Sequence, residues 1–168
     1  IENINPAYLA NFLPTLKRMG VIIKINRDTI SIKSPKEIQP IKVDTRPYPG
    51  FSTDLQSPLA AALTQANGVS HIFETLFEER FNFVDQLNAM GAKIKIKDRH
   101  NIVVYGPTPL KASIVKTQDI RAGAALVLAG LQAKGQTIVK NAKLIDRGYE
   151  KLDEKLSQLG AQIKRVEK

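Results

Sequence analysis

The chain has 168 residues, 43% of them hydrophobic, which favours a folded protein of one or two small domains over a disordered one. It has no cysteine, so no disulfide is predicted, and its two histidines are too few and too far apart to indicate a metal site. No apolar run is long enough to span a membrane, and no cofactor is predicted. The formal net charge of +9 at pH 7 points to an anionic partner, either nucleic acid or a small polyanion.

The first predicted helix covers residues 12–19, where apolar side chains recur along one helical face. Gly20 suits the left-handed position that closes a helix, and Pro14 fits an early helical position. Strands are predicted at residues 21–25, 29–33 and 41–43, with a hairpin turn between the first two. A stiff loop with two prolines and a glycine then delivers Asp54 to the start of an apolar helix, predicted over residues 55–65.

The same order then recurs along the chain. Glycines that each follow a predicted helix, Gly20, Gly91 and Gly160, lie 91 − 20 = 71 and 160 − 91 = 69 positions apart. The elements of the second and third copies are helices over residues 83–90, 120–133 and 152–159 and strands over residues 92–96, 101–105, 113–116 and 161–166. The sequence therefore predicts an α/β fold built from a repeated strand, helix, strand, strand, strand, helix unit.

The two strongly apolar helices, residues 55–65 and 120–133, are expected to lie buried at the centre, with the copies packed around a pseudo-threefold axis. No linker rich in glycine, serine or proline divides the chain, which favours a single domain over residues 1–168. The third copy stops after its strand, so we expect a further piece of the domain elsewhere in a longer parent chain.

Stacked copies bring equivalent loops to one end of a domain. Asp54 aligns with Asp119, each opening an apolar helix, and Arg121, Arg147 and Leu76 are expected at the same rim. Helix N-termini and arginines together suit phosphate or carboxylate ligands. Simpler interpretations stay open: both aspartates as helix caps, residues 146 and 147 as a loop ion pair, Leu76 as core, and Arg80 as a surface residue near the rim.

Four ordered motifs resemble the enolpyruvyl transferases across essentially the whole chain: residues 49–56 (PGFSTDLQ), 74–81 (ETLFEERF), 118–122 (QDIRA) and 145–150 (IDRGYE). The match is to the branch of the family that acts on UDP-N-acetylglucosamine. The resemblance implies an inverted α/β barrel, and it implies that this chain is most of the carboxyl-terminal domain of a two-domain enzyme whose active site lies between the domains.

The resemblance also implies an activity and a set of roles. The parent enzyme would transfer enolpyruvyl from phosphoenolpyruvate to the 3-hydroxyl of UDP-N-acetylglucosamine, in the cytoplasm, as the first committed step of peptidoglycan synthesis. Asp54 would be the catalytic base facing that hydroxyl, and Leu76 would bind the sugar nucleotide through its backbone. Arg147 would bind phosphoenolpyruvate, and Asp119 with Arg121 would line the same substrate-binding cleft.

The sequence departs from the family pattern at three positions, where Ser52, Gln118 and Gly123 stand in place of proline, threonine and serine. The partner domain with the family's catalytic cysteine loop is absent, so the isolated chain is expected to be inactive. Two other functions stay open: a non-catalytic binding module derived from the family, and a basic nucleic-acid-binding domain. The second lacks any zinc-finger spacing or aromatic RNA-binding signature, so nucleic acid is not the predicted partner.

Overall fold

The computed structural model describes residues 1–166. Within them lie five α-helices, α1 (Leu13–Arg18), α2 (Gln56–Leu63), α3 (Val84–Ala89), α4 (Ile120–Gln132) and α5 (Leu152–Gln158). The strands are β1 (Ile22–Asn26), β2 (Thr29–Lys33), β3 (Lys42–Asp44), β4 (Gly68–Phe73), β5 (Lys93–Ile96), β6 (Asn101–Gly106), β7 (Ile114–Lys116) and β8 (Ile138–Lys140). Short 3-10 helices cover Pro6–Leu9, Thr53–Leu55 and Ala142–Arg147.

The strands form three sheets that follow the repeat. β1 and β2 make an antiparallel hairpin, and β3, β4, β6 and β5 make a four-stranded sheet in that order. Successive copies are joined by parallel pairs: β3 pairs with β4, placing Val43 opposite Ile72, and β7 pairs with β8, placing Val115 opposite Val139. The same pairing therefore links the first copy to the second and the second to the third.

Helices α2 and α4 pack against each other in the centre of the core. Ala60 and Ala61 of α2 and Ala125 and Leu126 of α4 are all buried, and three of these four residues are alanines. Small side chains let two helix backbones approach closely, which is why helices that are apolar on most faces can lie side by side here. The prediction of buried central helices is confirmed; the pseudo-threefold arrangement of the copies stays a prediction.

The predicted helix–glycine–strand units form as expected in the first two copies. Gly20, Gly91 and Gly160 close α1, α3 and α5 with φ of +88°, +96° and +92°, a conformation that side chains disfavour. In α3 and its C-cap, the apolar stripe Val84, Leu87 and Met90 is buried.

The predicted strand over residues 161–166 is wrong, because this segment has no strand partner among residues 1–166. In the first two copies, the strand after the glycine pairs with the strand that follows it in the chain, β1 with β2 and β5 with β6. Residues 1–166 contain no such following strand for the third copy, and a strand without a ladder partner leaves its backbone groups unpaired. The adjoining helix α5 has no buried residue, and Leu159 is 84% exposed.

Candidate functional site

Asp54 lies in the 3-10 helix Thr53–Leu55, directly before α2. The residue that caps this turn is Ser52, whose backbone is extended and whose hydroxyl accepts a hydrogen bond from the Asp54 N–H at 3.3 Å. No side chain caps α2 itself. The interpretation of Asp54 as a helix cap is therefore wrong, and its carboxylate, 63% exposed, is available for other contacts.

Two arginines hold the Asp54 carboxylate. Its Oδ1 accepts hydrogen bonds from Arg121 Nε at 2.5 Å and from Arg80 Nη2 at 3.1 Å. Because Arg121 belongs to the first turn of α4, this contact joins the starts of the two central helices. The predicted meeting of Asp54 and Arg121 is thus observed, whereas the interpretation of Arg80 as a surface residue is wrong: its side chain is only 18% exposed and lies over the Phe77 ring, 4.5 Å from the centroid.

Asp119, in contrast, is a true N-cap. Its Oδ1 accepts the N–H groups of Arg121 and Ala122, both at 2.8 Å, and its Oδ2 accepts the Asn82 side-chain amide at 2.6 Å. Partial burial acts to raise the pKa of Asp119, but these hydrogen bonds, the one from Ala122 foremost, hold it below the ordinary value. The hydrogen bonds to the Arg121 and Ala122 N–H groups fix the first turn of α4, and the one from Asn82 orients the Asp119 side chain. Asp119 therefore positions the backbone of Arg121.

Arg147 is exposed at the end of the 3-10 helix Ala142–Arg147, which packs against α4. Two close approaches bracket it: a Cβ at Gly123 would lie 2.5 Å from Ile145 Cγ1, and a Cβ at Gly148 would lie 2.7 Å from Ile120 Cγ2. Arg147 is therefore held beside the first turn of α4, the turn that carries Arg121.

The predicted loop ion pair between Asp146 and Arg147 is wrong. Asp146 is instead bound by Arg165, at 2.7 and 2.8 Å, and Arg165 also binds Asp153 at 3.0 Å. Hydrogen bonds from Arg165 lower the pKa of both aspartates. Among residues 1–166, Arg147 forms no ion pair, so its guanidinium is available to a ligand.

Tyr149 is a further member of the cluster that the sequence did not single out. Burial raises the pKa of its phenol; the charge of Asp54 raises it further, and that of Arg121 lowers it. Tyr149 is half-buried and follows Gly148, which packs against Ile120 at the start of α4.

Leu76 is 39% exposed, so its interpretation as core is wrong. Its backbone N–H donates to the Glu74 carboxylate at 2.8 Å. Glu74 is fully buried, and the sequence does not reveal it: in β4 the apolar Val69 and Phe73 are exposed, so hydrophobic alternation gives no sign of a buried residue at position 74.

The cluster, comprising Asp54, Arg80, Asp119, Arg121, Arg147 and Tyr149, is suited to anions. Two guanidinium groups, those of Arg80 and Arg121, contact one exposed carboxylate directly before α2, and Arg147 lies beside the first turn of α4. Arginines near a helix N-terminus attract phosphate and carboxylate groups. Within residues 1–166, no group of three or more histidine, aspartate or glutamate side chains is placed to hold a metal ion. None of the helices in that range has the length and apolar character needed to cross a bilayer.

A protein-family model described as EPSP synthase (3-phosphoshikimate 1-carboxyvinyltransferase) matches residues 1–156. The chain belongs to this family of enolpyruvyl transferases. Curated relatives named UDP-N-acetylglucosamine 1-carboxyvinyltransferase include that of Halothermothrix orenii, 45% identical over 99% of this chain and 40% of its own length. That of Desulfofundulus thermocisternus is 43% identical over 99% of this chain and 68% of its own length. The chain thus spans about 40% of the first of these enolpyruvyl transferases.

Solved enolpyruvyl transferases confirm the fold class. NikO from Streptomyces tendae superposes on 95% of this chain and 37% of its own, with a TM-score of 0.86 at 31% identity. EPSP synthase from Acinetobacter baumannii, at 19% identity and a TM-score of 0.55 over 76% of this chain, shares the fold alone. The resemblance read from the four motifs, and the inverted α/β architecture it implied, are both confirmed.

Proposed function

We propose that this chain forms one wall of an active site that transfers enolpyruvyl from phosphoenolpyruvate to the 3-hydroxyl of UDP-N-acetylglucosamine, in cytoplasmic peptidoglycan synthesis. The names of the relatives support this choice of substrates. The other wall would come from the rest of a longer enzyme, in keeping with the share of its relatives that the chain spans. The 168 residues would form most of the carboxyl-terminal domain of that enzyme.

The observation that carries the proposal is the exposed Asp54 carboxylate, which is free of any capping duty and held between Arg80 and Arg121. A carboxylate in this place can accept the proton of a sugar hydroxyl, which makes the oxygen a better nucleophile. The two arginines, with Arg147 beside the same helix turn, supply positive charge for the phosphate and carboxylate of phosphoenolpyruvate.

The same contacts give Asp54 two states. Without substrate, both guanidinium groups donate to its Oδ1. An anion that binds Arg80 and Arg121 competes for these hydrogen bonds and returns lone pairs to the carboxylate. Exposed ion pairs are worth only about 0–1 kcal/mol, so this exchange costs little. Phosphoenolpyruvate would thereby release the base that acts on the second substrate.

The chemistry then proceeds by addition and elimination. The sugar oxygen bonds to C2 of phosphoenolpyruvate as its proton passes to Asp54, and C3 gains a proton from an acid that we assign to the other wall. In the second step, C3 loses a proton, the bond from C2 to the phosphate oxygen breaks, and phosphate leaves. The Leu76 backbone carbonyl is our assigned contact for the sugar nucleotide, because the Leu76 N–H is already bound to Glu74.

The test uses the full-length protein that contains this chain, with phosphate release measured in the presence of both substrates. Asp54→Asn should fold normally and lower kcat by about 10²–10⁴-fold, the usual worth of general-base catalysis. Asp44→Asn is the matched control, because Asp44 also forms an exposed ion pair, with Arg46 at 3.1 Å. A folded Asp54→Asn protein with normal kcat would overturn the assignment of the base.

The 168-residue chain alone, given both substrates, should release no phosphate, because one wall cannot orient two reactants. Release at a rate comparable to that of the full-length protein would show that the chain carries a complete site. Salt-sensitive binding to arbitrary DNA or RNA, without any to the nucleotide sugar, would favour the nucleic-acid alternative.

A further inference from the structure

We infer that Glu74, which is outside the cluster defined above, is a positioning residue. It fixes the proposed base Asp54 and the proposed sugar-nucleotide contact Leu76 in position relative to each other. Its kinetic test rests on the proposed function, and its structural test does not. The inference begins from the burial of Glu74, whose exposure is 0%. A carboxylate removed from water must be hydrogen-bonded, because the cost of its desolvation is otherwise uncompensated.

Five neutral donors satisfy this carboxylate, and no arginine, lysine or histidine side chain among residues 1–166 donates to it. Oε1 accepts from Thr45 Oγ1 at 2.8 Å, from Leu76 N at 2.8 Å and from Phe77 N at 3.3 Å. Oε2 accepts from Thr53 Oγ1 at 2.6 Å and from Gln56 Nε2 at 2.7 Å. The two oxygens therefore serve different segments: Oε1 holds the backbone at Leu76, and Oε2 holds the turn that carries Asp54.

The direction of the hydrogen bonds on the Oε2 side is fixed. Arg80 Nη1 donates to Thr53 Oγ1 at 2.7 Å, and a guanidinium can only donate. The Thr53 hydroxyl must therefore give its own proton to Glu74. Since Arg80 also donates to Asp54, the chain runs from Glu74 through Thr53 and Arg80 to the base.

The backbone of Glu74 is held as firmly as its side chain. Its N–H donates to the His100 carbonyl at 2.7 Å, and its own carbonyl lies 2.7 Å from His100 Nδ1. His100 follows the turn between β5 and β6, so the acid is anchored to the four-stranded sheet. The sheet thus sets the position of the Asp54 turn through one buried side chain.

Replacing Glu74 by glutamine should affect the hydrogen bonds of Oε2 and leave those of Oε1 in place. The amide oxygen can keep the place of Oε1 and its three donors, and Gln56 can rotate its amide to accept. Thr53 cannot adapt, because it would receive hydrogen bonds from both Arg80 and the new amide while its own proton has no acceptor. Glu74→Gln should therefore loosen Arg80 and Asp54 and leave the Leu76 backbone in place.

The kinetic test uses the full-length protein. Glu74→Gln should lower kcat by roughly 10- to 100-fold, the effect of displacing a reacting group by about an ångström. The KM for UDP-N-acetylglucosamine should change by less than about threefold, because the Leu76 contact is kept. Thr53→Val, which removes the same hydroxyl, should give a similar loss, and the double variant should lose no more than either alone.

The control is Ser70→Ala, which removes another buried hydroxyl. This hydroxyl accepts a hydrogen bond from Ile41 N at 3.2 Å and makes no hydrogen bond to Glu74, Thr53 or Arg80. It should lower stability and leave kcat unchanged. Normal kcat in folded Glu74→Gln, a rise in KM alone, or additive losses in the double variant would each overturn the inference. If Glu74→Gln does not fold, the inference is tested with Thr53→Val alone, which should lower kcat by the same factor and leave KM unchanged.

The structural test uses the 168-residue chain and its NMR spectrum. In Glu74→Gln, the amide signals of Leu76 and Phe77 should keep their positions, whereas those of Thr53 and Asp54 should move. Unchanged signals at Thr53 and Asp54, or movement at Leu76 alone, would overturn the inference. An inactive unaltered full-length protein would instead refute the proposed function, and the NMR result would still decide the role of Glu74.

Discussion

Asp54 and Asp119 occupy equivalent places in the sequence, each at the start of an apolar helix, yet they make different contacts in the structure. Asp119 caps α4 and Asp54 caps nothing. We therefore predict that Asp119→Ala destabilises the fold markedly and that Asp54→Ala does not. The comparison needs neither substrate nor partner domain, so it can be made on the 168-residue chain.

The magnitudes follow from the contacts. Loss of the cap at Asp119 costs about 1 kcal/mol, and loss of the partly exposed hydrogen bond from Asn82 about 1 kcal/mol more. Asp54→Ala removes two ion pairs on a carboxylate that is 63% exposed, and each such pair is worth about 0–1 kcal/mol, with many contributing nothing measurable. For a chain of this size, each kcal/mol shifts Tm by about 2–4 °C, so Asp119→Ala should lower Tm by about 4–8 °C.

The effect at Asp119 also depends on pH. Because its folded-state pKa lies below the ordinary value, the charged carboxylate adds stability that is complete above about pH 4, where the unfolded chain is also ionised. That stability is lost as pH falls through the folded-state pKa. The gap between the unaltered chain and Asp119→Ala should therefore be constant near neutral pH and should shrink in acid.

The assay is thermal denaturation followed by far-ultraviolet circular dichroism at pH 7 and again below pH 4. Asp119→Asn is the control, because asparagine caps a helix about as well as aspartate and should recover most of the stability. Equal losses for Asp54→Ala and Asp119→Ala, or a larger loss for Asp54→Ala, would refute the distinction between cap and free carboxylate.

Two further predictions concern ionisation. Asp54→Asn should lower the pKa of Tyr149, because the charge of Asp54 raises it, and Arg121→Gln should raise that pKa. Both shifts can be measured by ultraviolet pH titration of the phenol. Shifts of the opposite sign would show that Tyr149 does not lie near these two residues. Arg165→Gln should raise the pKa of Asp146 towards its ordinary value, because the hydrogen bonds from Arg165 are the chief cause of the lowered pKa. NMR titration of the Asp146 carboxyl group measures this pKa, and an unchanged value would contradict the ion pair.

Local signals in the sequence predicted the elements well. Residues 12–20 and 83–91 each carry an apolar stripe followed by glycine, and both form a helix closed at positive φ. These features depend on neighbours within a few residues, so the sequence contains all that decides them. The segment 161–166 has an equally good strand pattern and forms no strand, because a ladder needs a partner strand and the pattern cannot supply one.

The site was predicted in part, for a related reason. Asp54 and Arg121 were expected together, and they are, because the repeat places both central helices with their starts at one end. Arg80 was interpreted as a surface residue, because nothing local shows that Thr53 and Asp54, more than 20 positions earlier, lie beside it. Glu74 was missed because a buried acid is uncommon and its five donors come from three separate segments.

The different contacts of Asp54 and Asp119 explain how the proposed base can lie at a helix start without weakening the fold. In the second copy, the acid caps α4 and thereby fixes the backbone of Arg121. In the first copy, Ser52, at a position where the family resemblance implies proline, caps the 3-10 turn before α2, so the Asp54 carboxylate makes no capping contact. Arg121 then reaches from one copy to the free acid of the other. The proposed catalytic geometry therefore requires both copies, whereas the start of each helix is fixed by contacts within its own copy. Substitution of Asp54 can thus remove activity while the protein remains folded, which is why the proposed base is testable by kinetics.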